Sequence, residues 1–148
     1  MKNIKTSDIL LFQVLNNVPR VLLITRKDDQ FAGGKVAIPG GHLDEGETPL
    51  EGGIRELYEE TGIDVKPIYN IIKPVMYNVP NQDKYRKYNG ITYVGNLPLN
   101  HMYKLTPQPN EVKDVRWYEI NQIPYNNMAF DHGDVVKFII DKIRQYQY

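Results

Sequence analysis

The chain has 148 residues, no cysteine, and 18 Lys plus Arg against 18 Asp plus Glu. That length suits one domain over residues 1–148 with a sizeable core. The composition excludes a disulfide framework and a thiolate zinc site, and zero formal charge argues against a broad basic surface for nucleic acid.

Asp8–Leu15 and Arg20–Thr25 are short, apolar, β-branched runs joined by Asn16-Asn17-Val18-Pro19, and they read as a hairpin. The segment from Gly33 to Gly41 reads as one short strand between glycine-rich turns. A helix then starts at Thr48: this N-cap precedes Pro49 and completes a capping box with Glu51. It stops at Gly62, a left-handed C-terminal residue, and buries Leu50, Ile54 and Leu57. Gly52 and Gly53 each cost about 1 kcal/mol of helix propensity, which suggests that something packs too closely there for a side chain. Val65–Val79, Gly90–Leu97 and Val112–Tyr118 read as strands of a mixed sheet. Val135, Val136, Ile139, Ile140 and Ile143 give a C-terminal helix its buried face. No apolar run is long enough to span a membrane and the N-terminus has no signal-peptide pattern, so a cytoplasmic location and no membrane partner are expected.

Charge is uneven. Between Gly41 and Ile63 stand seven acidic residues and one basic residue, Arg55. A dense acidic segment in a folded domain needs solvent or a counter-cation. Glu56, Glu59 and Glu60 stand at i, i+3 and i+4, so their carboxylates share one helix face. An exposed acidic face is the bland explanation. Beside a glycine-rich turn, however, clustered carboxylate oxygens suit a hard cation such as Mg²⁺ or Mn²⁺, an ion that binds substrate phosphates.

The run GHLDEGETPLEGGIRELYEETGI, residues 41–63, resembles the signature of the Nudix hydrolases at every defining position. The flanks resemble the family too: Ile38-Pro39-Gly40-Gly41 leads into the box and a strand with Trp117 follows it, although Val36 stands where many members have tryptophan. The resemblance implies an α/β fold, a three-layer α/β/α sandwich around a mixed β-sheet. It also implies metal-dependent attack of water on the pyrophosphate of a nucleoside diphosphate linked to another moiety, with Mg²⁺ as cofactor and Mn²⁺ as a substitute. By the same resemblance Glu56, Glu59, Glu60 and the carbonyl of Gly41 are metal ligands. Arg55 pairs with Glu47 to hold loop against helix, and Glu111 sits where some relatives place a distant catalytic glutamate.

Specificity in the family lies outside the box. The segment from Asn78 to Lys87 loosely resembles a loop of bacterial ADP-ribose pyrophosphatases, with Asp83 and Arg86 in corresponding places. Met128-Ala129-Phe130-Asp131-His132 is similar to a string of that branch. These clues favour ADP-ribose, cleaved to AMP and ribose 5-phosphate, with Phe130 contacting substrate and Arg26, Lys35, Lys84 and Arg86 available for phosphates. Two alternatives stay open: pyrophosphate removal from nucleoside triphosphates, and a non-catalytic sensor of ADP-ribose-like ligands. A small nucleotide is the expected partner, and relatives that are dimers make a homodimer an expectation by analogy.

Overall fold

The computed structural model describes residues 4–67, 72–75 and 89–147; the loop assigned to substrate, with Asp83, Lys84 and Arg86, lies outside them. Strands β1 (Ile4–Leu15) and β2 (Val18–Arg26) are joined by Asn16 and Asn17 alone, with φ of 51° and 69°. A two-residue hairpin turn needs that left-handed backbone, which asparagine tolerates. The connection is shorter than expected, because Val18 and Pro19 belong to β2 and pair with Leu15 and Val14.

Beyond Phe12 and Val21 the two strands part, and the following segment enters the fork. There β3 (Val36–Ala37) pairs with Thr25 and Ile24 of β2, and β4 (Gly40–His42) pairs with Thr6, Ser7 and Asp8 of β1. The single strand expected here is thus two. Ile38 and Pro39 carry the chain across the fork, and proline has no N–H to continue a ladder. The carbonyl of Pro39 still accepts from the Ile9 N–H at 3.0 Å.

On the other edge of β1 runs β6 (Asn89–Asn96), parallel to it from Ile4 to Phe12, with β5 (Ile72–Val75) antiparallel beyond. The outer edge of β2 pairs with β7 (Val112–Glu119), antiparallel from Arg20 to Arg26. The sheet is mixed, as expected. Its side chains alternate: Ile9, Leu11, Leu22 and Ile24 enter one core, and Leu10, Phe12, Val21 and Leu23 the other. Each such side chain contributes about 1.5–3 kcal/mol when buried, so a one-residue slip of β1 would exchange both cores at once.

Helix α1 (Pro49–Thr61) covers the first core through Leu57, with Leu50 and Ile54 half-buried beside it. The Glu51 N–H donates to Thr48 Oγ1 at 3.2 Å and the Thr48 N–H to Glu51 Oε1 at 3.0 Å, which is the expected capping box. Gly62, with φ 84°, ends the helix by donating its N–H to the Tyr58 carbonyl. The two glycines admit different neighbours: a Cβ on Gly53 would stand 2.7 Å from Ser7 Oγ and 3.1 Å from Ile9 Cγ1 of β1, and one on Gly52 would meet Leu43 and Glu47 of the loop before the helix. Helix α2 (His132–Gln147) covers the second core with Val135, Val136, Ile139 and Ile140. The three layers are those expected, and among the described residues no helix is long and apolar enough to cross a membrane.

Candidate active site

Where β4 meets α1, the helix presents Glu56 and Glu60 one turn apart to the Gly40-Gly41 backbone. Glu60 is buried, and its Oε1 accepts the Gly40 N–H at 2.8 Å. Glu56 is half-buried against Gly41, where a Cβ would stand 2.8 Å from Glu56 Oε1. Glu111 reaches the same point from the loop 107–111, which leads into β7. Carboxylate oxygens of Glu56, Glu60 and Glu111 lie within 4.8 Å of one another. Burial pushes the Glu60 carboxyl well above its usual value, and neighbouring Glu56 and Glu111 push the same way against the Gly40 N–H. Burial also raises Glu56, opposed by Arg55.

Arg55 ties the preceding loop to the helix. Its Nε and Nη2 donate to both oxygens of Glu47 at 2.8 and 3.0 Å, and Nη2 also donates to the His42 carbonyl at 3.1 Å. Nη1 donates to Glu56 at 3.0 Å and to Glu59 at 3.3 Å. The bond to Glu47 raises the guanidinium and holds the Glu47 carboxyl below its ordinary value. The Glu47–Arg55 pairing that the resemblance implied is therefore present. Glu59 lies apart from the three converging carboxylates, exposed and turned toward Arg55.

Arg26, at the end of β2, faces this acidic cluster. Burial lowers its guanidinium while Glu60 and Glu111 raise it. Its Nε donates to the Phe31 carbonyl at 2.8 Å, and its guanidinium carbon stands 5.1 Å from the Phe130 ring centroid. The Phe31 and Phe130 rings stack at 6.0 Å and 26°, with Phe31 81% exposed and Phe130 held at φ 54°. Arg26 and Phe130 are thus brought together beside the carboxylates. Phe31 was not singled out by the sequence, since one phenylalanine in a polar loop has no periodicity to betray it. Lys35 is exposed at the far end of that loop, its carbonyl accepting the Arg26 N–H at 2.9 Å.

Three carboxylates aimed at one point repel one another, and an oxygen-only donor set with a glycine backbone alongside fits a hard divalent cation. The flanking Arg26, the exposed Phe31 ring and the half-buried Phe130 ring are of the chemistry that can bind phosphates and stack on rings.

The family model for the NUDIX domain matches residues 5–138. Over 120 residues the chain is 30% identical to an ADP-ribose pyrophosphatase of Methanocaldococcus jannaschii, covering 80% of this chain and 64% of that protein. Over 102 residues it is 32% identical to an RNA pyrophosphohydrolase of Cereibacter sphaeroides, covering 62% of each. The chain spans less than two thirds of either relative. Among solved structures, a Nudix hydrolase from M. smegmatis has a TM-score of 0.74 at 16% identity, over 96% of this chain and 86% of that one, a likeness of fold.

Proposed function

The chain belongs to the Nudix family, and from that premise we propose that it is a Mg²⁺-dependent pyrophosphohydrolase that cleaves a nucleoside diphosphate linked to a second moiety, with ADP-ribose the favoured substrate. The observation that carries the reading is the convergence of Glu56, Glu60 and Glu111 on one point beside the Gly40-Gly41 turn. Glu56, Glu60 and the Gly41 carbonyl would hold the cation, with Glu59 on the exposed shoulder as a further ligand. A bound Mg²⁺, or Mn²⁺ in its place, supplies positive charge against the pyrophosphate oxygens, which otherwise repel a nucleophile.

The chain's own groups do the rest. Arg26 offsets phosphate charge from the side facing the carboxylates, and Lys35 adds a second positive group from the far end of the loop that follows β2. Phe31 and Phe130 give the nucleobase an aromatic surface, Phe31 offering its exposed ring. Glu111, exposed but within reach of the other two carboxylates, accepts the proton of the attacking water as one phosphorus–oxygen bond forms and the bridging one breaks.

The test is product release from ADP-ribose, other nucleoside diphosphate sugars, dinucleoside polyphosphates, NADH and nucleoside triphosphates, with Mg²⁺, with Mn²⁺ and with chelator. Metal-dependent AMP release led by ADP-ribose is expected. A preference for triphosphates would overturn the substrate assignment while keeping the chemistry, and ligand binding without turnover of any compound would overturn the hydrolase reading.

A further inference from the structure

Across the sheet from the carboxylates, a second group of buried polar side chains takes no part in the reaction proposed above: Asp8 on β1, Thr92 on β6 and His132 at the start of α2. His132 Nδ1 accepts the N–H of Ile38 at 3.0 Å. An imidazole nitrogen that accepts carries no proton, so the ring holds its hydrogen on Nε2. Nε2 lies 3.5 Å from Asp8 Oδ2, which also takes the Thr92 hydroxyl at 3.4 Å.

The reason for this arrangement lies in the fork of the sheet. Ile38 falls after β3 ends and before β4 begins, so its buried N–H belongs to neither ladder. A buried N–H without an acceptor keeps the full penalty of leaving water. His132 supplies the acceptor from the opposite layer. The turn it holds goes directly on to Gly40, whose N–H binds Glu60, and to Gly41, which abuts Glu56. Asp8 bounds the same turn from below, since a Cβ on Gly40 would stand 2.9 Å from Asp8 Oδ1.

We propose that His132, oriented by Asp8, is a positioning residue that fixes the Ile38–Gly41 turn and through it the placement of Glu60 and Glu56, a role that rests on the metal-binding reading of those carboxylates. One segment, Ala129–His132, would then serve both sides of the site, since it also carries Phe130, whose ring is 5.4 Å from that of His132.

The two contacts of the ring can be separated. Asparagine places an acceptor near the Nδ1 position but falls short of Asp8; glutamine reaches toward Asp8 but leaves the Ile38 N–H without its acceptor. The full chain and its His132→Asn, His132→Gln and His132→Leu variants are compared by thermal unfolding, by NMR hydrogen exchange of the Gly40 amide without metal, and by Mn²⁺ titration read by electron paramagnetic resonance. In His132→Gln and His132→Leu the Gly40 amide should exchange faster and Mn²⁺ affinity should fall by about 10- to 100-fold, the usual effect of losing a group that orients ligands. His132→Asn should restore both. If the leucine variant does not fold, the contrast of asparagine with glutamine decides. Equal behaviour of those two variants, or an unchanged Gly40 amide and Mn²⁺ affinity in a folded leucine variant, would overturn the proposal. Should the unaltered protein fail to bind Mn²⁺, the metal reading falls, while Gly40 exchange still decides whether His132 positions the turn.

Discussion

Glu60 combines burial with a bond from the Gly40 N–H, so Glu60→Gln keeps an acceptor in place while removing a charge. The variant should unfold at no lower a temperature than the parent and lose more than about 100-fold of its metal-dependent turnover, since even groups one shell further out cost 10–100-fold. Near-normal turnover would remove Glu60 from the site. Phe31→Ala tests the aromatic surface: a side chain 81% exposed contributes little to the core, so stability should hold. Its KM for ADP-ribose should rise several-fold with kcat little changed, because stacking is made equally in ground and transition states. The spacing of Glu56, Glu59 and Glu60 was readable as one acidic face, but not which members converge. Side chains at i and i+4 lean toward the glycine turn, while Glu59 finds Arg55 across its own helical turn.

Helix α1 is the element most legible in the sequence, because its limits are set locally by Thr48, Glu51 and Gly62. Thr48→Ala should cost about 1 kcal/mol in urea unfolding, the ordinary value of such a cap. Gly53→Ala reverses the sign that propensity alone gives. The added methyl would favour the helix by about 1 kcal/mol, yet it meets Ser7 Oγ at 2.7 Å, and overpacking of that kind costs about 1–3 kcal/mol. A net loss of stability is therefore expected. The loop before the helix responds to acid through Glu47. Its folded carboxyl lies below the ordinary value of 4.5, so the Arg55 bond contributes fully above 4.5 and is lost as the pH falls toward the folded value. Glu47→Gln should be less stable than the parent at neutral pH, with the gap closing in acid; a gap independent of pH would show that the bond is not what the charge supplies.

At the scale of the whole molecule, the hairpin and the two helices followed from local signals, whereas the sorting of the continuous apolar strands into two cores and the division of residues 36–42 between two neighbouring strands did not. Nothing local says that β1 and β2 pair only over Phe12–Leu15 and Val18–Val21; β3 and β4 take up the remaining inner edges, and β6 holds β1 from its other edge. Glu111 is the same case. Family resemblance marked it as a candidate, but the local sequence gives only a loop, and its meeting with Glu56 and Glu60 is set by the pairing of β7 along β2, which joins Arg26 to Val112. That ladder has a consequence in time. Hairpin and helix close over short stretches of chain, but β7 must close a loop of more than eighty residues, a step with a larger entropic barrier. Glu56 and Glu60, on a locally closed helix, are therefore placed before Glu111, which depends on β7. The groups proposed to hold the cation lie on β4 and α1, whereas turnover also needs Glu111, so during refolding Mn²⁺ binding should return before metal-dependent turnover does; simultaneous return of the two would show that the β7 ladder closes no later than the rest.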